Sequence, residues 1–458
     1  MSQIDLRRVD LNLLVACEAL LAERNVPRYT SYPTAPHFSN AVTPDVYAGW
    51  LSQLPADARV SLYLHVPYCR ELCHYCGCHT QAVRKDGPID AYAQALKAEI
   101  ETLGRHLRQQ SVTHLHWGGG TPSILPTQRI IEVADALCRS FNLAGMREHA
   151  IELDPRYVNE ALAKCLVRIG VNRVSFGVQD LSPHVQAAIG RIQSYETVAD
   201  AVALVRNAGI TGINIDLMYG LPQQTIEDVR ATAARVCALN PMRIALFGYA
   251  HVPWFKKRQR LIDEARLPGS IERLSQLEAA RQVFLSFGYE EIGFDHFAAP
   301  DDSLAIAARA GDLHRNFQGY TVDDAEALIG IGASAIGRLP QGYIQNDPGT
   351  ASYSRAVLGG GFATVRGIAL SPDDRLRAGI IERIMCDLSV DLAGAGSEAG
   401  CGFETALTSL RPLADQGLVE IADRTVRITE RGRPYLRLVA AAFDAYLPTS
   451  KSAHSRAV

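Results

Sequence analysis

Between residues 60 and 250, short β-type runs alternate with helix-type segments, and this alternation limits what the 458-residue chain can fold into. The β-type runs fall at 60–66, 113–117, 150–153, 172–176, 212–218 and 243–247. Between most of them, apolar residues recur at helical spacing, over 89–107, 128–141, 159–169 and 195–207. A further segment, 225–239, opens with Thr225-Ile-Glu-Asp228, which predicts a capping turn. Six strands joined through helices predict parallel pairing with right-handed crossovers, in an open doubly wound sheet or a partial barrel.

The placement of unusual residues narrows that choice. A cysteine-rich loop follows the first strand, and Gly118-Gly-Gly-Thr-Pro122 follows the second. The third ends in Glu152-Leu-Asp154 and the fourth is followed by Gly177-Val-Gln-Asp180. The fifth carries Asp216 and runs into Met218-Tyr-Gly220, and the sixth ends in Tyr249-Ala-His251. Functional-looking residues at the carboxyl ends of six successive strands predict one shared mouth, as in (β/α) barrels.

The loop after strand one reads Tyr68-Cys-Arg-Glu-Leu-Cys-His-Tyr-Cys-Gly-Cys78. Cys69, Cys73 and Cys76 have the spacing C-x3-C-x2-C, and three thiolates can hold three corners of a [4Fe–4S] cube, leaving one iron open. A zinc site is the competing reading, with His74, Cys78 or His79 as a fourth ligand, although no second knuckle appears. Inert thiols are a third reading. It suits the scattered Cys17, Cys138, Cys165, Cys237, Cys386 and Cys401 better than four cysteines in ten residues. A disulfide framework does not suit a chain of this size.

Other candidates have structural readings beside the functional ones. Gly118-Gly-Gly120 lets backbone approach a ligand closely, or is only a tight turn; it is not the G-x-G-x-x-G of a nicotinamide site. Glu152 and Asp216 could bind ribose hydroxyls or an amino group, or cap helices. Gln179 and Arg191 could grip a carboxylate, or make surface contacts of little energy. His65, His114 and His116 lie on predicted strands and are not assigned to metal.

Beyond the sixth strand, 271–287 reads as a helix and 290–297 as one further strand. Helices are expected at 375–388, 403–416 and 433–446, with a hairpin over 418–428 turning at Asp423-Arg424. This suggests a winged-helix-like cap, but without a dense Lys/Arg stripe it reads as a lid or packing domain. Gly359-Gly-Gly-Phe362 marks a boundary, and 450–458 reads as a frayed tail. The expected division is an arm over 1–55, a barrel over 56–300, an extension contributing to the site over 301–362, and a mainly helical domain over 363–458. Net charge is −3, so no global field favours nucleic acid. No apolar run approaches a bilayer span and the first residues lack a secretory pattern, which predicts a cytoplasmic protein without membrane insertion.

Longer motifs run collinearly with these features: Pro27-Arg-Tyr-Thr-Ser-Tyr-Pro33, Leu115-His-Trp-Gly-Gly-Gly-Thr-Pro122, Ser175-Phe-Gly-Val-Gln-Asp180, Asn214-Ile-Asp-Leu-Met-Tyr-Gly-Leu-Pro222, Tyr249-Ala-His251 and Leu313-His-Arg-Asn-Phe-Gln-Gly-Tyr320. Together they resemble the oxygen-independent coproporphyrinogen III oxidases (dehydrogenases) of the radical S-adenosylmethionine superfamily, from about residue 27 to about residue 446. The resemblance implies an α/β fold: a (β/α)6 partial barrel with an N-terminal arm and a mainly helical C-terminal domain. It implies a [4Fe–4S] cluster held by Cys69, Cys73 and Cys76, with Cys78 not a ligand, and two S-adenosylmethionine molecules. Tyr63, Gly119, Glu152 and Ile336 match positions around the first; Tyr75, Gly120, Thr121, Gln179, Arg191, Asp216 and Ala250 match positions around the second. Glu152, Phe317 and Gln318 match positions on which activity depends.

The implied reaction is radical oxidative decarboxylation of two propionates of coproporphyrinogen III to vinyl groups, giving protoporphyrinogen IX. The implied partners are that substrate and an electron donor such as flavodoxin or ferredoxin, with the enzyme a monomer. The chain departs from the family pattern at Ala299 and Ser303, where a basic residue and Glu are common, and at Gly190 and Gly248, where Asn is common. These departures bear on substrate grip and second-cofactor geometry rather than on the radical step. A haem-binding chaperone of the same superfamily shares the barrel and cluster; the arm motif at Arg28-Tyr29-Thr30, Cys78 and Phe317-Gln318 favour the enzyme. A radical enzyme acting on another tetrapyrrole is the third reading.

Overall fold

The computed structural model describes residues 19–393, 403–447 and 456–457. Cys17 and Cys401 lie outside these residues. A single sheet organises the chain. Its strands in chain order are β1 (Arg59–Val66), β2 (Ser111–Gly119), β3 (Glu148–Leu153), β4 (Arg173–Gln179), β5 (Gly212–Tyr219), β6 (Arg243–Gly248), β7 (Glu290–Ile292), β8 (His296–Ala298), β9 (Ala327–Ile331), β10 (Ile336–Leu339), β11 (Gly342–Asn346) and β12 (Thr364–Ala369). The spatial order is β12-β11-β10-β9-β1-β2-β3-β4-β5-β6-β8-β7. β1 to β6 pair in parallel with their neighbours, and β9 pairs in parallel with the other side of β1. The remaining pairs are antiparallel. This is the expected partial barrel, with one more parallel strand than the pattern predicts.

The crossover helices are α1 (Gly87–His106), α2 (Thr127–Ser140), α3 (Glu160–Arg168), α4 (Tyr195–Asn207) and α5 (Ile226–Cys237). Each buries one stripe. On α1 the stripe is Ile89, Leu96, Ile100 and Leu103, all fully buried, and each such side chain contributes roughly 1.5–3 kcal/mol. The expected capping turn is a capping box: Thr225 accepts from the backbone of Asp228, and the Asp228 side chain accepts from the backbone of Thr225. The 271–287 helix is α6 (Ser270–Ser286).

Three expectations change. The segment 290–297 is two antiparallel strands, β7 and β8, because Gly293 adopts φ +59° and turns the chain. The helix expected over 433–446 is a 3-10 turn, Glu430–Tyr435, followed by a short helix, Leu436–Ala441. After Ala441 the chain passes into turns, with Phe443 N donating to Ala440 O and Asp444 N to Ala441 O, and Asp444 Oδ1 then accepts from the backbone N–H of Tyr446 and Leu447. The tail is anchored where described: Ala457 N donates to Arg24 O at 2.8 Å, and Arg437 Nη1 donates to the carbonyls of Arg456 and Ala457. Residues 450–455 and 458 lie outside the described residues.

The helix Pro372–Asp387, the helix Glu404–Asp415 and a hairpin of Val419–Ala422 with Thr425–Ile428 follow the sheet. Among the described residues, no helix is long and apolar enough to cross a membrane.

Candidate active site

The cysteine loop leaves β1 at Pro67. Its base is closed by parallel pairing of Tyr68–Cys69 with Gln81–Ala82, and by Val83 N donating to Cys69 O at 2.9 Å. The glycine turn after β2 locks onto the same base. Gly120 N donates to Val66 O and Thr121 N to Tyr68 O, both at 2.8 Å. Gly119 has φ +110°, and a Cβ there would lie 2.6 Å from His65 Cε1. Backbone therefore approaches the His65 ring on β1 more closely than any side chain permits.

The cysteines Cys69, Cys73 and Cys76 line one cavity of about 560 Å³. Thr121 Oγ1 donates to Cys69 Sγ at 3.5 Å, and Thr80 Oγ1 lies 3.3 Å from the same sulfur. Arg191 Nη1 donates to Cys73 Sγ at 3.5 Å. Burial pushes the Cys69 thiol up, whereas a hydrogen bond from Cys78 pulls Cys76 down to about 7 and leaves Cys78 well above its ordinary value.

The other zinc-ligand candidates face carbonyls: His74 Nδ1 is 3.4 Å from Ala188 O, and His79 Nε2 is 2.8 Å from Pro348 O. Among the described residues no group of three or more His, Cys, Asp or Glu is gathered for a single ion. A cube makes a different demand, three thiolates on three irons facing a shared cavity, and the donor set here fits it.

Strand ends supply the rest of the wall. Glu152 Oε2 accepts from Gly119 N at 3.1 Å, and its Oε1 lies 3.2 Å from His116 Nε2. A register shift in β4 between Gly177 and Gln179, with Gln179 at φ +69°, is a bulge that re-aims the Gln179 side chain into the cavity. Arg191 Nη2 donates to Gly177 O at 2.6 Å and Nη1 to Asp154 Oδ2 at 3.2 Å. Burial opposes the Arg191 charge, but Tyr75 and Asp154 more than offset it and hold its pKa above the usual arginine value. Asp216 accepts from Ser175 Oγ and Asn214 Nδ2, each at 2.8 Å, yet burial pushes its carboxyl up to about 6.

Tyr75, Gly120, Thr121 and Ala250 line the same cavity as these residues. Tyr63 and Ile336 do not. Tyr63 stands behind the wall, where a Cβ on Gly118 would meet its Cε2 at 3.0 Å and Glu152 Oε1 at 2.7 Å. Ile336 opens β10, and its carbonyl lies 2.7 Å from a Cβ placed on Gly330, the β9 residue paired with Tyr63.

Phe317 and Gln318 sit elsewhere, at the turn of a hairpin formed by His314–Asn316 and Gly319–Thr321. Phe317 lines a separate cavity of about 90 Å³ between the arm, this hairpin and the helix Pro372–Asp387.

Several wall residues escaped sequence reading. Arg28, from the arm, lines the cavity and donates to Gly248 O at 2.7 Å. Gln259 donates to Tyr75 O and Ala250 O at 2.8 and 3.1 Å, and Lys256 donates to Cys78 O at 3.2 Å. The available signal was the run Lys256-Lys-Arg-Gln-Arg260, which no strand end points to.

The departures from the family pattern have local roles. Gly190 has φ +64°, and a Cβ there would lie 2.7 Å from His74 Nε2. Ser303 Oγ accepts from Arg243 Nη2 at 2.8 Å, and Ala299 N donates to Met242 O at 2.9 Å.

Comparison with known proteins adds the family context. Residues 63–236 match the radical SAM superfamily model and residues 370–435 the HemN C-terminal domain model. A protein of Bradyrhizobium diazoefficiens named oxygen-independent coproporphyrinogen III oxidase is 48% identical over 443 residues, covering 95% of this chain and 98% of that protein. One of the same name from Paracoccus denitrificans is 46% identical, covering 96% and 98%. The solved structure of coproporphyrinogen III oxidase from Escherichia coli, described as a radical SAM enzyme, superposes with a TM-score of 0.87 at 38% identity, covering 92% of this chain and 97% of that one.

Proposed function

This chain belongs to the oxygen-independent coproporphyrinogen III oxidases of the radical SAM superfamily, and from that membership we propose how its residues carry out the decarboxylation of two substrate propionates to vinyl groups. Near full-length identity to oxidases favours this activity over that of a haem chaperone. The observation that carries the reading is the convergence of three cysteine sulfurs with Gly119, Glu152, Gln179, Arg191 and Asp216 on one cavity at the carboxyl edge of the sheet.

Cys69, Cys73 and Cys76 would hold the [4Fe–4S] cluster, with two S-adenosylmethionine molecules bound beside it. When bound, the cluster and S-adenosylmethionine would supply radical chemistry able to remove a hydrogen atom from a propionate β-carbon. Around the first molecule Gly119 and Glu152 would line the wall directly, with Tyr63 and Ile336 supporting it from behind. Glu152 is already oriented by Gly119 N and His116, so it presents a fixed acceptor. Tyr75, Gly120, Thr121, Gln179, Arg191, Asp216 and Ala250, which line the same cavity, would surround the second. Arg191, held by Asp154 and Gly177 O, offers a positioned cation to a carboxylate. Tyr75, Met218, Phe247 and Tyr249 make much of the remaining wall apolar, which excludes water from a radical site.

Phe317, in the arm-side cavity, and Gln318, beside it at the hairpin turn, affect activity from outside the cysteine-lined wall. The working division is an arm over 1–55, a barrel over 56–300, an extension over 301–362 and a helical domain over 363–458. The enzyme works in the cytoplasm as a monomer, takes electrons from flavodoxin or ferredoxin, and has no nucleic-acid partner.

An anaerobic assay tests the reading. Reconstituted protein given dithionite, S-adenosylmethionine and coproporphyrinogen III should release 5′-deoxyadenosine together with two CO2 in steps. Cys69→Ala should lose both cluster absorbance and activity. Stoichiometric haem binding without decarboxylation would overturn the reading.

A further inference from the structure

The segment 252–261 has two sides. Its inner side grips the cysteine loop: Lys256 Nζ donates to Cys78 O at 3.2 Å, Arg258 Nη2 to Leu72 O at 2.9 Å and Gln259 Nε2 to Tyr75 O at 2.8 Å. Its outer side exposes Trp254 (58%) and Leu261 (57%) beside the exposed cations Lys257 and Arg260, while Phe255 (74%) stands at the rim of the cysteine-lined cavity. Large aromatic and aliphatic side chains beside cations make up an interface composition rather than an ordinary solvated face. Lys256, Lys257, Arg258 and Arg260 outnumber the neighbouring acids Asp263 and Glu264, the first of which is paired with Arg266 at 3.1 Å, so the segment keeps a positive balance. A local positive patch on a chain of net charge −3 is a concentrated feature.

The patch also adjoins the metal ligands. A small cavity of about 150 Å³ lies between the segment and the loop, lined by Cys73, Cys76, Cys78, Lys256 and Arg258. Cys78 is exposed there.

We propose that this face is the docking surface for an acidic one-electron carrier protein, with Trp254, Lys257 and Arg260 at its contact. The proposal deepens the oxidase reading and rests on it, since that chemistry consumes electrons delivered singly from outside. One electron passes from the reduced carrier to the cluster; the carrier is oxidised by one electron, and no bond forms or breaks. Transfer falls steeply with distance, so the carrier must dock at the edge of the loop, where the cations and exposed aromatics are. Charge complementarity sets the encounter rate, and Trp254 supplies an apolar anchor.

The test uses the reconstituted holoenzyme and a reduced acidic flavodoxin. Lys257→Glu/Arg260→Glu should slow cluster reduction by flavodoxin at least about tenfold at low salt. It should also weaken binding of oxidised flavodoxin measured by calorimetry. Trp254→Ala should weaken the same binding. The wild-type rate should fall as salt rises. Dithionite-driven release of 5′-deoxyadenosine should be unchanged in all variants, since dithionite needs no docking site.

Unaltered flavodoxin binding and reduction in the charge-reversal variant would overturn the proposal. So would binding to anionic phosphatidylglycerol vesicles in place of flavodoxin. Failure of the wild type to cleave S-adenosylmethionine with dithionite would instead sink the oxidase reading, so the two failures are separable.

Discussion

A methyl group at Gly119 would press into the His65 imidazole, and the φ of +110° would strain any L-residue that carried it. His65 cannot easily retreat: its Nε2 lies 2.9 Å from His79 O and its Nδ1 3.1 Å from Tyr63 OH. Gly119→Ala should therefore shift the turn, break the Gly119 N–Glu152 bond and lower S-adenosylmethionine affinity about tenfold or more, a loss of about 1–2 kcal/mol. Equilibrium dialysis with the reconstituted protein checks this, and unchanged affinity would contradict it. Glu152→Ala should weaken the same binding while cluster absorbance stays intact. The glycine motif and Glu152 were readable from the sequence by their place at strand ends. The reason Gly119 must be glycine was not, because it depends on the β1–β2 register that sets Val66 opposite Gly119 and His65 opposite Gly118. Arg28 was equally hidden: its contact with Gly248 spans 220 residues, and no local pattern encodes it.

At the scale of elements, the strands that bear site residues were legible because each ends in unusual chemistry and is followed by an amphipathic helix. β9 was not. All five of its residues are buried, so Ala327–Ile331 lacks the alternation that marks a half-exposed strand, and no helix of the repeating kind introduces it. Its loop is fixed instead by Glu99 on α1. Glu99 accepts from Gly332 N, Tyr353 OH and Asn346 Nδ2 at 2.7, 2.7 and 2.6 Å, joining α1 to the β9 loop, β11 and the helix Thr350–Leu358. Burial pushes its carboxyl from 4.5 up to about 7 despite these bonds. The folded state thus holds this proton more tightly than the unfolded state. The contribution is complete below about pH 4.5 and is lost as pH rises through 7, about 3 kcal/mol in all. Glu99→Gln has no such proton to lose. Its unfolding free energy should start below that of the wild type at pH 5, and the gap should narrow by pH 8. Urea unfolding at both pH values reads this directly, and a constant gap would show that Glu99 does not titrate in this range.

Across the whole molecule, the arm is a strap between the C-terminal domain and the mouth of the barrel. Tyr29 OH donates to Asp444 Oδ2 at 3.0 Å, Ala445 N donates to Tyr32 OH at 3.1 Å, and Arg437 donates to Val26 O and Pro27 O at 2.5 and 3.0 Å. The next residue along, Arg28, reaches the site cavity. Position in the sequence could suggest that the arm closes over the barrel, but not that residues more than 400 positions away hold it there. Asp444 is central to this strap, since its other oxygen also accepts from Tyr446 N and Leu447 N. Asp444→Ala leaves the buried Tyr29 hydroxyl and two backbone donors without that acceptor, a loss of about 1–3 kcal/mol. The loss falls on the strap rather than on the sheet, so it should appear as faster proteolytic cleavage in the arm with little change in global unfolding. Arg28 should then leave the cavity wall, and kcat/KM for coproporphyrinogen III should fall several-fold while dithionite-driven cleavage without substrate stays near wild type. If the arm resisted protease as before and kcat/KM were unchanged, Asp444 would be a local turn residue and the strap would be held by Arg437 and the Tyr32–Ala445 bond.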